Sequence, residues 1–300
     1  METMGNLRRT CYCGNLRAGD VGTEMVVAGS IAKCRDKGGV IFADLRDTTG
    51  ILQMIFNDTT APDVFAKASM LRSEYVVIAK GILRAREAKT DKIATGDVEL
   101  FVSELRILSE AQTPPFEIRD EIKVKDELRL KYRYLDLRRN DAHAPIVLRS
   151  KISKIIRDYY CENDFVEIET PIMIKSTPEG ARDYLVPSRV QPGHFYALPQ
   201  SPQLYKQILM LSGFDRYFQI APCFRDEDAR GDRSPGEFYQ LDMEMAFAGQ
   251  EDVFSVLEDV LPPVFAKFGK YHTASQAPFR RIPYADSMET YGTDKPDLRI

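Results

Sequence analysis

The chain is poor in the residues that build metal centres and disulfide frameworks. Its 300 residues include three histidines and five cysteines, and the one close pair, Cys-x-Cys, lacks the paired spacing of a zinc site. We therefore expect reduced thiols and no protein-bound metal. The cysteines are scattered along the chain: Cys11, Cys13, Cys34, Cys161 and Cys223.

Long hydrophobic runs are also missing. No segment is long enough to span a membrane and the N-terminus lacks a signal-peptide pattern, so we expect a cytoplasmic protein without a membrane partner. The net charge of −4 and the pI of about 5.6 argue against a general nucleic-acid coat protein. Local basic patches exist, as between Lys123 and Arg139, although a solvated charged face would explain them equally well.

The length of 300 residues is enough for two soluble domains. In the first 110 residues, short apolar segments alternate with turn signals, and a helical pattern lies between the third and fourth segments. This order is typical of a small Greek-key barrel of the oligonucleotide-binding (OB) type, and a β-sandwich fragment is the alternative. The predicted strands cover residues 25–31, 40–46, 51–56, 75–83 and 98–108, and the predicted helix covers residues 62–71.

One predicted strand carries an aromatic ring on its polar face. Alternation with period two places Phe42 on the same side as Asp44 and Arg46, and Gln53 lies on the next strand. An exposed ring flanked by amide and basic groups suits the stacking of single-stranded bases. A barrel-rim residue packed under a loop would give the same pattern.

The chain changes character after residue 110. Residues 111–140 are rich in charge and contain Pro114-Pro115, so they read as a linker, or as a solvated connector held by salt bridges. From residue 146 apolar residues recur at helical spacing, and a strand that ends at Pro171 follows. We therefore predict a barrel domain at 1–110, a hinge at 111–140 and a second domain at 141–300. The helical stripe consists of Leu148, Ile152, Ile155, Ile156 and Tyr159.

Two later segments read as an antiparallel hairpin with one polar face. Gln219, Arg225 and Glu227 share one side of the first strand, and Phe238, Gln240, Asp242 and Glu244 share one side of the second. A half-exposed hairpin with its polar side in water is the ordinary explanation. An aromatic ring beside a fixed cation and carboxylates also suits a flat heteroaromatic ligand that carries phosphates.

This hairpin resembles motif 2 of the class II aminoacyl-tRNA synthetases. Its Phe-Arg-Asp-Glu-Asp run at 224–228 is similar to that of the bacterial aspartyl-tRNA synthetases, and the resemblance extends over essentially all 300 residues. It implies an α+β multidomain fold: an N-terminal OB-fold barrel, then a class II catalytic domain built on an antiparallel sheet and incomplete at its C-terminus. The helix and strand that end at Pro171 resemble motif 1, which implies a homodimer.

The resemblance implies ATP-dependent attachment of L-aspartate to tRNA(Asp), possibly also to tRNA(Asn), with Mg²⁺ entering on the phosphates of ATP. The implied catalytic residues are Arg225 and Glu227. The implied ATP-binding residues are Arg225, Asp226, Glu227 and Phe238. The implied aspartate-binding residues are Glu179, Ser201, Gln203, Lys206, Arg225, Gln240 and Asp242. The implied anticodon-binding residues are Arg35, Lys37, Phe42, Gln53 and Lys89.

Lys206 carries the argument for aspartate. Ser201 fits a helix N-cap, so Gln203 and Lys206 are one turn apart on the same side of the helix, with Leu204, Ile208 and Leu211 expected on a buried stripe. A pocket that selects aspartate needs an extra cation for the β-carboxylate, and Lys206 supplies one. A solvated amphipathic face is the alternative.

Two departures from the family pattern leave other functions open. The chain ends before the segment that resembles motif 3 would begin, so we expect residues 1–300 alone to be incomplete for catalysis. The barrel has Gly29-Ser30-Ile31 where the family usually has tryptophan, and the chain has none. A non-catalytic anticodon-binding fragment and a lysyl- or asparaginyl-specific relative are the competing functions.

Overall fold

The computed structural model describes residues 1–227, 236–271 and 275–298. Contacts divide the chain into two compact units, Met1–Ala144 and Pro145–Ile300, and each is described by itself. The linker at 111–140 therefore lies within the first unit, whereas the predicted three-part division stays a prediction.

The first unit is a closed five-stranded barrel, which agrees with the OB-type prediction and not with a β-sandwich fragment. The strands close in the order β1-β2-β3-β5-β4, and all pairs are antiparallel except β3 with β5. Helix α1 (Pro62–Met70) lies between the third and fourth strands, as predicted. The strands are β1 (Glu24–Asp36), β2 (Ile41–Arg46), β3 (Ile51–Phe56), β4 (Val76–Ala85) and β5 (Val98–Ser109).

The barrel core follows from alternation along each strand. On β2, Ile41, Ala43 and Leu45 are at most 2% exposed and join the core, whereas the residues between them are half-buried. At a register shift on β4, the backbone of Gly81 approaches β5 so closely that a Cβ would lie 2.1 Å from the carbonyl oxygen of Phe101. Only glycine fits this approach without a shift of the strands.

The linker is fastened to the barrel by a buried carboxylate. One guanidinium nitrogen of Arg46 donates to both oxygens of Glu74 at 2.7 and 2.8 Å, and Arg138 donates to the same group at 2.7 Å. Arg46 also donates to the carbonyl of Ile118 at 3.0 Å. The segment thus has fixed contacts instead of being only a solvated connector. It contains the short helices α2 (Asp126–Lys131) and α3 (Arg133–Asp136).

The second unit contains a three-stranded sheet in the order β10-β9-β6 and a separate pair, β7-β8. The β9–β10 pair is the predicted antiparallel hairpin, whereas β6 pairs with β9 in parallel. The strands are β6 (Val166–Glu167), β7 (Leu185–Pro187), β8 (Phe195–Ala197), β9 (Arg216–Phe224) and β10 (Glu237–Met245). The helices are α4 (Asn140–Glu162), α5 (Gln203–Leu211), α6 (Gln250–Phe268) and α7 (Tyr284–Tyr291).

The core of the second unit is small. Tyr160, Phe165, Phe218 and Val260 form its buried centre, and the predicted stripe of α4 is only partly covered. Across the described ranges, no helix is long and apolar enough to cross a membrane.

The expectation of a buried stripe on α5 was wrong. Leu204, Ile208 and Leu211 are 49%, 47% and 88% exposed. The helix instead turns the side that carries Lys206 toward the sheet, because the lysine pairs with acidic residues of β10. Tyr205, Leu209 and Met210 are the half-buried apolar residues of this nine-residue helix, so its covered side differs from the expected stripe.

Candidate active site and nucleic-acid interface

The register of the β9–β10 hairpin confirms the predicted faces. Phe238 pairs with Cys223, Gln240 with Ala221, Asp242 with Gln219 and Glu244 with Tyr217. Residues directly opposite each other in an antiparallel pair point to the same side of the sheet. The predicted polar side chains therefore lie together.

The polar face is the more buried one on β9. Its residues Tyr217, Gln219, Ala221 and Cys223 are at most 4% exposed, whereas Ile220 on the opposite face is half-buried. The interpretation of that opposite face as a core floor holds for part of each strand, because Phe218 of β9 belongs to the small core and Leu241, Met243 and Met245 of β10 pack against it.

Lys206 is held between two carboxylates of β10. Its Nζ lies 3.1 Å from Oδ1 of Asp242 and 3.2 Å from Oε2 of Glu244. Burial alone would lower the pKa of Lys206, but Asp242 and Glu244 outweigh that effect, so the pKa is raised and the ammonium stays charged. Sequence reasoning placed Glu244 on this face but gave it no role, although its period-two relation to Asp242 was the signal.

Asp242 retains one free oxygen. Its Oδ2 is buried and has no hydrogen-bond partner within the described ranges. Burial raises the pKa of Asp242, against the opposing attraction of Lys206. The neighbouring Tyr217 is fully buried, and its hydroxyl donates to Oε1 of Gln219 at 2.9 Å. Burial and then the charge of Asp242 raise the pKa of Tyr217, so the phenol stays protonated.

Arg225 lies at the end of the same face. Its guanidinium carbon is 4.9 Å from the ring centre of Phe238, and its buried Nε has no hydrogen-bond partner in the described part of the chain. Its backbone N–H donates to Gly236 at 2.8 Å, which closes the hairpin. The structure therefore brings together the predicted cation and the predicted ring.

The two acidic residues after Arg225, Asp226 and Glu227, are less buried than the polar residues of β9. The backbone of Asp226 exchanges hydrogen bonds with Arg182, at 2.9 Å for its N–H and 2.8 Å for its carbonyl. Glu227 is exposed. Asp228 and the following loop residues to Pro235, which belong to the resemblance, lie outside the described residues.

Three more predicted residues form a second group. Ser201 donates its hydroxyl to Glu179 and accepts the backbone N–H of Gln203 at 3.3 Å. The side chain of Gln203 is exposed. Gln200, which sequence reasoning missed, is 2% exposed and exchanges hydrogen bonds with the backbone of Ala181 at 3.0 and 2.8 Å. The polar loop after β6 is therefore tied to the start of α5.

On the barrel, two predicted anticodon residues face each other. Arg35 of β1 is the cross-strand partner of Phe42 of β2, and its guanidinium contacts both oxygens of Asp44 at 2.9 Å. The Nε of Arg35 is buried without a partner among the described residues. Lys37 is exposed after β1, and Lys89 is exposed after β4, 3.5 Å from Asp97.

Gln53 lies on the same outer face but is covered. It is 4% exposed, its Nε2 donates to Glu99 at 2.6 Å, and its Oε1 accepts from Arg86 at 2.9 Å. The amide of Gln53 retains one N–H donor and one acceptor lone pair beyond these two bonds. Burial raises the pKa of Glu99, against the hydrogen bond from Gln53. Sequence reasoning missed Glu99 and Arg86, since β3–β5 adjacency depends on barrel closure.

Family comparisons agree with this geometry. Residues 125–300 match the family described as tRNA synthetases class II (D, K and N), and residues 25–108 match the OB-fold nucleic acid binding domain. By structure, the chain resembles asparaginyl-tRNA synthetase from Pyrococcus horikoshii complexed with asparaginyl-adenylate, with a TM-score of 0.81 over 97% of this chain and 69% of that one. The identity is 24%, so this likeness concerns the fold.

Curated relatives are closer in sequence. The chain is 52% identical over its whole length to an "Aspartate--tRNA ligase" from Ruminiclostridium cellulolyticum. It is 51% identical to an "Aspartate--tRNA(Asp/Asn) ligase" from Caldanaerobacter subterraneus subsp. tengcongensis. It spans about half the length of both relatives, 50% in each case. Because the family match alone covers more than half of the chain, this protein belongs to the class II tRNA synthetases of the D, K and N group.

Proposed function

We propose that this protein serves as an aspartate–tRNA ligase, which activates L-aspartate with ATP and transfers it to tRNA(Asp). One observation carries the proposal. Across the described ranges, three buried side-chain atoms lack a hydrogen-bond partner, and all belong to predicted ligand residues: Arg35 Nε, Arg225 Nε and Asp242 Oδ2. Buried polar atoms are rarely left unpaired, so each is best explained by a ligand that completes it.

The charges around Lys206 favour aspartate as the amino acid. Lys206 is a cation held at 14% exposure between two carboxylates, and the β-carboxylate of a bound aspartate would be a third partner beside them. The free oxygen of Asp242 is an acceptor suited to the substrate ammonium. A carboxylate accepts a stronger, charge-assisted hydrogen bond from a lysine than a neutral amide does, so we expect this pocket to bind aspartate more tightly than asparagine. Asparagine is therefore the discriminating competitor.

Arg225 and Phe238 suit the nucleotide. The planar guanidinium can pair with carboxylate and phosphate oxygens together, and the ring can stack on adenine. The substrate α-carboxylate attacks the α-phosphorus, the bond to the pyrophosphate oxygen breaks, and pyrophosphate leaves. No proton has to be removed, so positioning and charge neutralisation supply the catalysis.

Mg²⁺ fits this scheme as an ion brought by ATP. In the parts of the chain that the structure describes, no group of three or more histidine, cysteine or acidic side chains could hold a metal. Glu227, exposed beside Arg225, would be a suitable oxygen donor. The ion would neutralise phosphate charge.

The barrel face would bind the tRNA anticodon through Phe42 and its basic neighbours. We infer a cytoplasmic location, because tRNA is charged where translation takes place. We also infer a homodimer through α4 and the Pro171 segment, because Ile146, Val147 and Leu148 of α4 are 54%, 36% and 37% exposed. Sedimentation velocity should show a dimer, and monomers at all concentrations would contradict it.

Binding of stable adenylate analogues tests the amino-acid assignment on this chain. Calorimetry should show tighter binding of aspartyl-sulfamoyl-adenosine than of the asparaginyl and lysyl analogues, and Lys206→Met should remove the preference. Lys154→Met is the matched control, since Lys154 also pairs with an acid, Asp158, but on an exposed helix face. Preference for another analogue would overturn the aspartate assignment. RNA binding without any analogue binding would favour the anticodon-binding fragment.

Because we expect residues 1–300 alone to be incomplete for catalysis, activity is measured on the protein as it is expressed from its natural gene. We expect aspartate-dependent exchange between ATP and pyrophosphate, and exchange driven by lysine or asparagine would contradict the proposal. Charging of tRNA(Asp) and tRNA(Asn) side by side would decide the tRNA range, since relatives named for both tRNAs occur beside relatives named only as aspartate–tRNA ligases.

A further inference from the structure

A row of outward side chains crosses the barrel next to Phe42. The β2–β3 register pairs Phe42 with Ile55, the β3–β5 register pairs Ile55 with Phe101, and the β4–β5 register pairs Phe101 with Ile82. Phe42, Ile55 and Phe101 are half-buried, and Ile82 is 43% exposed. The flanking residues Met54 and Leu100 are fully buried, so the row belongs to the outer face.

Phe101 carries a guanidinium on its ring. The guanidinium carbon of Arg84 lies 3.7 Å from the centre of the Phe101 ring, the shortest such contact among the described residues. Arg84 is exposed and makes no ion pair in the described part of the chain. The guanidinium therefore lies against the ring, and the Arg84 side chain is exposed.

This arrangement differs from the other arginines of the face. Arg35 is paired with the carboxylate of Asp44, and Arg86 donates to the neutral amide of Gln53. Arg84 lies opposite Glu99 in the β4–β5 register, and among the described residues it is the one arginine of these three whose guanidinium lies over an aromatic ring. Arginine planes and aromatic rings are the surfaces on which unpaired RNA bases stack.

We propose that Arg84, held against the ring of Phe101, is a second base-stacking position for single-stranded RNA, beyond the one at Phe42. The two positions are separated by two strand spacings, about 10 Å, with Ile55 between them. An RNA chain that crosses the strands would reach both, and the exposed Lys37 and Lys89 stand in the loops at its sides. The occupant is an unpaired base of the tRNA anticodon loop, so the inference rests on the proposed function.

Substitutions at Arg84 separate stacking from charge. Arg84→Lys keeps the charge and removes the plane, and Phe101→Leu keeps the apolar packing and removes the ring. We expect each to weaken binding of an anticodon stem-loop RNA by roughly tenfold, with an unchanged slope against salt concentration. Arg9→Lys is the matched control, because Arg9 also covers a ring, that of Tyr12, at 4.8 Å outside this row.

Abasic RNAs identify the stacked base. For each abasic stem-loop, the affinity of Arg84→Lys is compared with that of the unmodified protein. The two affinities should be equal for one stem-loop only, the one that lacks the base that stacks on Arg84. Full affinity in Arg84→Lys and Phe101→Leu, with a loss in Phe42→Leu, would overturn this inference and leave the proposed function intact. Absence of RNA binding by the unmodified protein would overturn both. Circular dichroism and urea unfolding establish that each variant is folded.

Discussion

The two units of this protein bury apolar side chains to different extents. The barrel has 22 buried residues in one contiguous core, whereas the main core of the second unit has four among the residues that the structure describes. The second unit also leaves large apolar side chains exposed on α4 and α5, such as Ile146 and Leu211. The barrel therefore carries its ligand face on a self-sufficient core, and the hairpin face depends on a polar network that rests on little apolar packing.

Truncation of a leucine side chain should lower the free energy of unfolding much more in the barrel core than on the exposed face of α5. Leu52→Ala in the fully buried barrel core should lower the free energy of unfolding by about 2–5 kcal/mol, because the cavity cannot collapse in a closed barrel. Leu211→Ala, at a side chain 88% exposed, should change it by no more than about 0.5 kcal/mol. Urea unfolding of both variants measures the difference. Equal effects would mean that Leu211 is covered in solution.

The two arginines with unpartnered Nε atoms separate the functions of the units. Arg225→Ala should lower aspartate-dependent pyrophosphate exchange by roughly 10²–10³-fold, because a positioned cation at the reacting phosphate is lost. Arg35→Ala is the control and should leave exchange unchanged while it weakens RNA binding. A loss of exchange in both variants would show that the assay reports on stability instead of chemistry.

Removal of the Phe42 ring should have a smaller effect, confined to RNA. Phe42→Leu should weaken stem-loop binding by about 1–3 kcal/mol, the typical value of one stacked base. Affinity for aspartyl-sulfamoyl-adenosine, measured by calorimetry, should stay the same. Unchanged RNA affinity would favour the alternative in which Phe42 is a rim residue packed under a loop.

The smallest effect concerns pH at Asp242. Burial raises its pKa above the ordinary value of 3.8, and only the ionised form pairs with Lys206. Analogue affinity should therefore fall as the pH is lowered through the raised pKa, at a higher pH than for an ordinary carboxyl. Calorimetry from pH 7 downward measures it.

Stability should change with pH in the opposite direction. The folded state binds the proton of Asp242 more tightly than the unfolded state, so the contribution to stability is complete below pH 3.8 and is lost as the pH rises through the folded pKa. Relative to Asp242→Asn, the unmodified protein should lose unfolding free energy across that window. A constant difference between the two proteins would contradict the raised pKa.

Local patterns were sufficient for most of the fold. Alternation on β2 and β10 predicted which residues share a face, and the pairing of Asp242 with Gln219 agrees with it. Turn residues and spacing predicted the five strands and α1. These features depend on neighbours in sequence, which is why a single chain reveals them.

Features that depend on distant partners could not be predicted. On α5, Lys206 pairs with Asp242, which is 36 positions away in sequence, whereas the stripe that the spacing predicted as buried is exposed. The burial of Gln53 follows from Glu99, a neighbour only after barrel closure. The roles of the site residues came from the family resemblance, and they stay predictions until the variants are measured.

The close approach at Gly81 has a consequence for how this barrel could change over evolution. The missing side chain lets β4 approach the carbonyl of Phe101, and the same strand carries Arg84 three positions later. Any larger residue at position 81 would wedge the two strands apart and shift the guanidinium relative to its ring. A residue outside the proposed RNA-binding surface would in this way adjust the spacing of that surface.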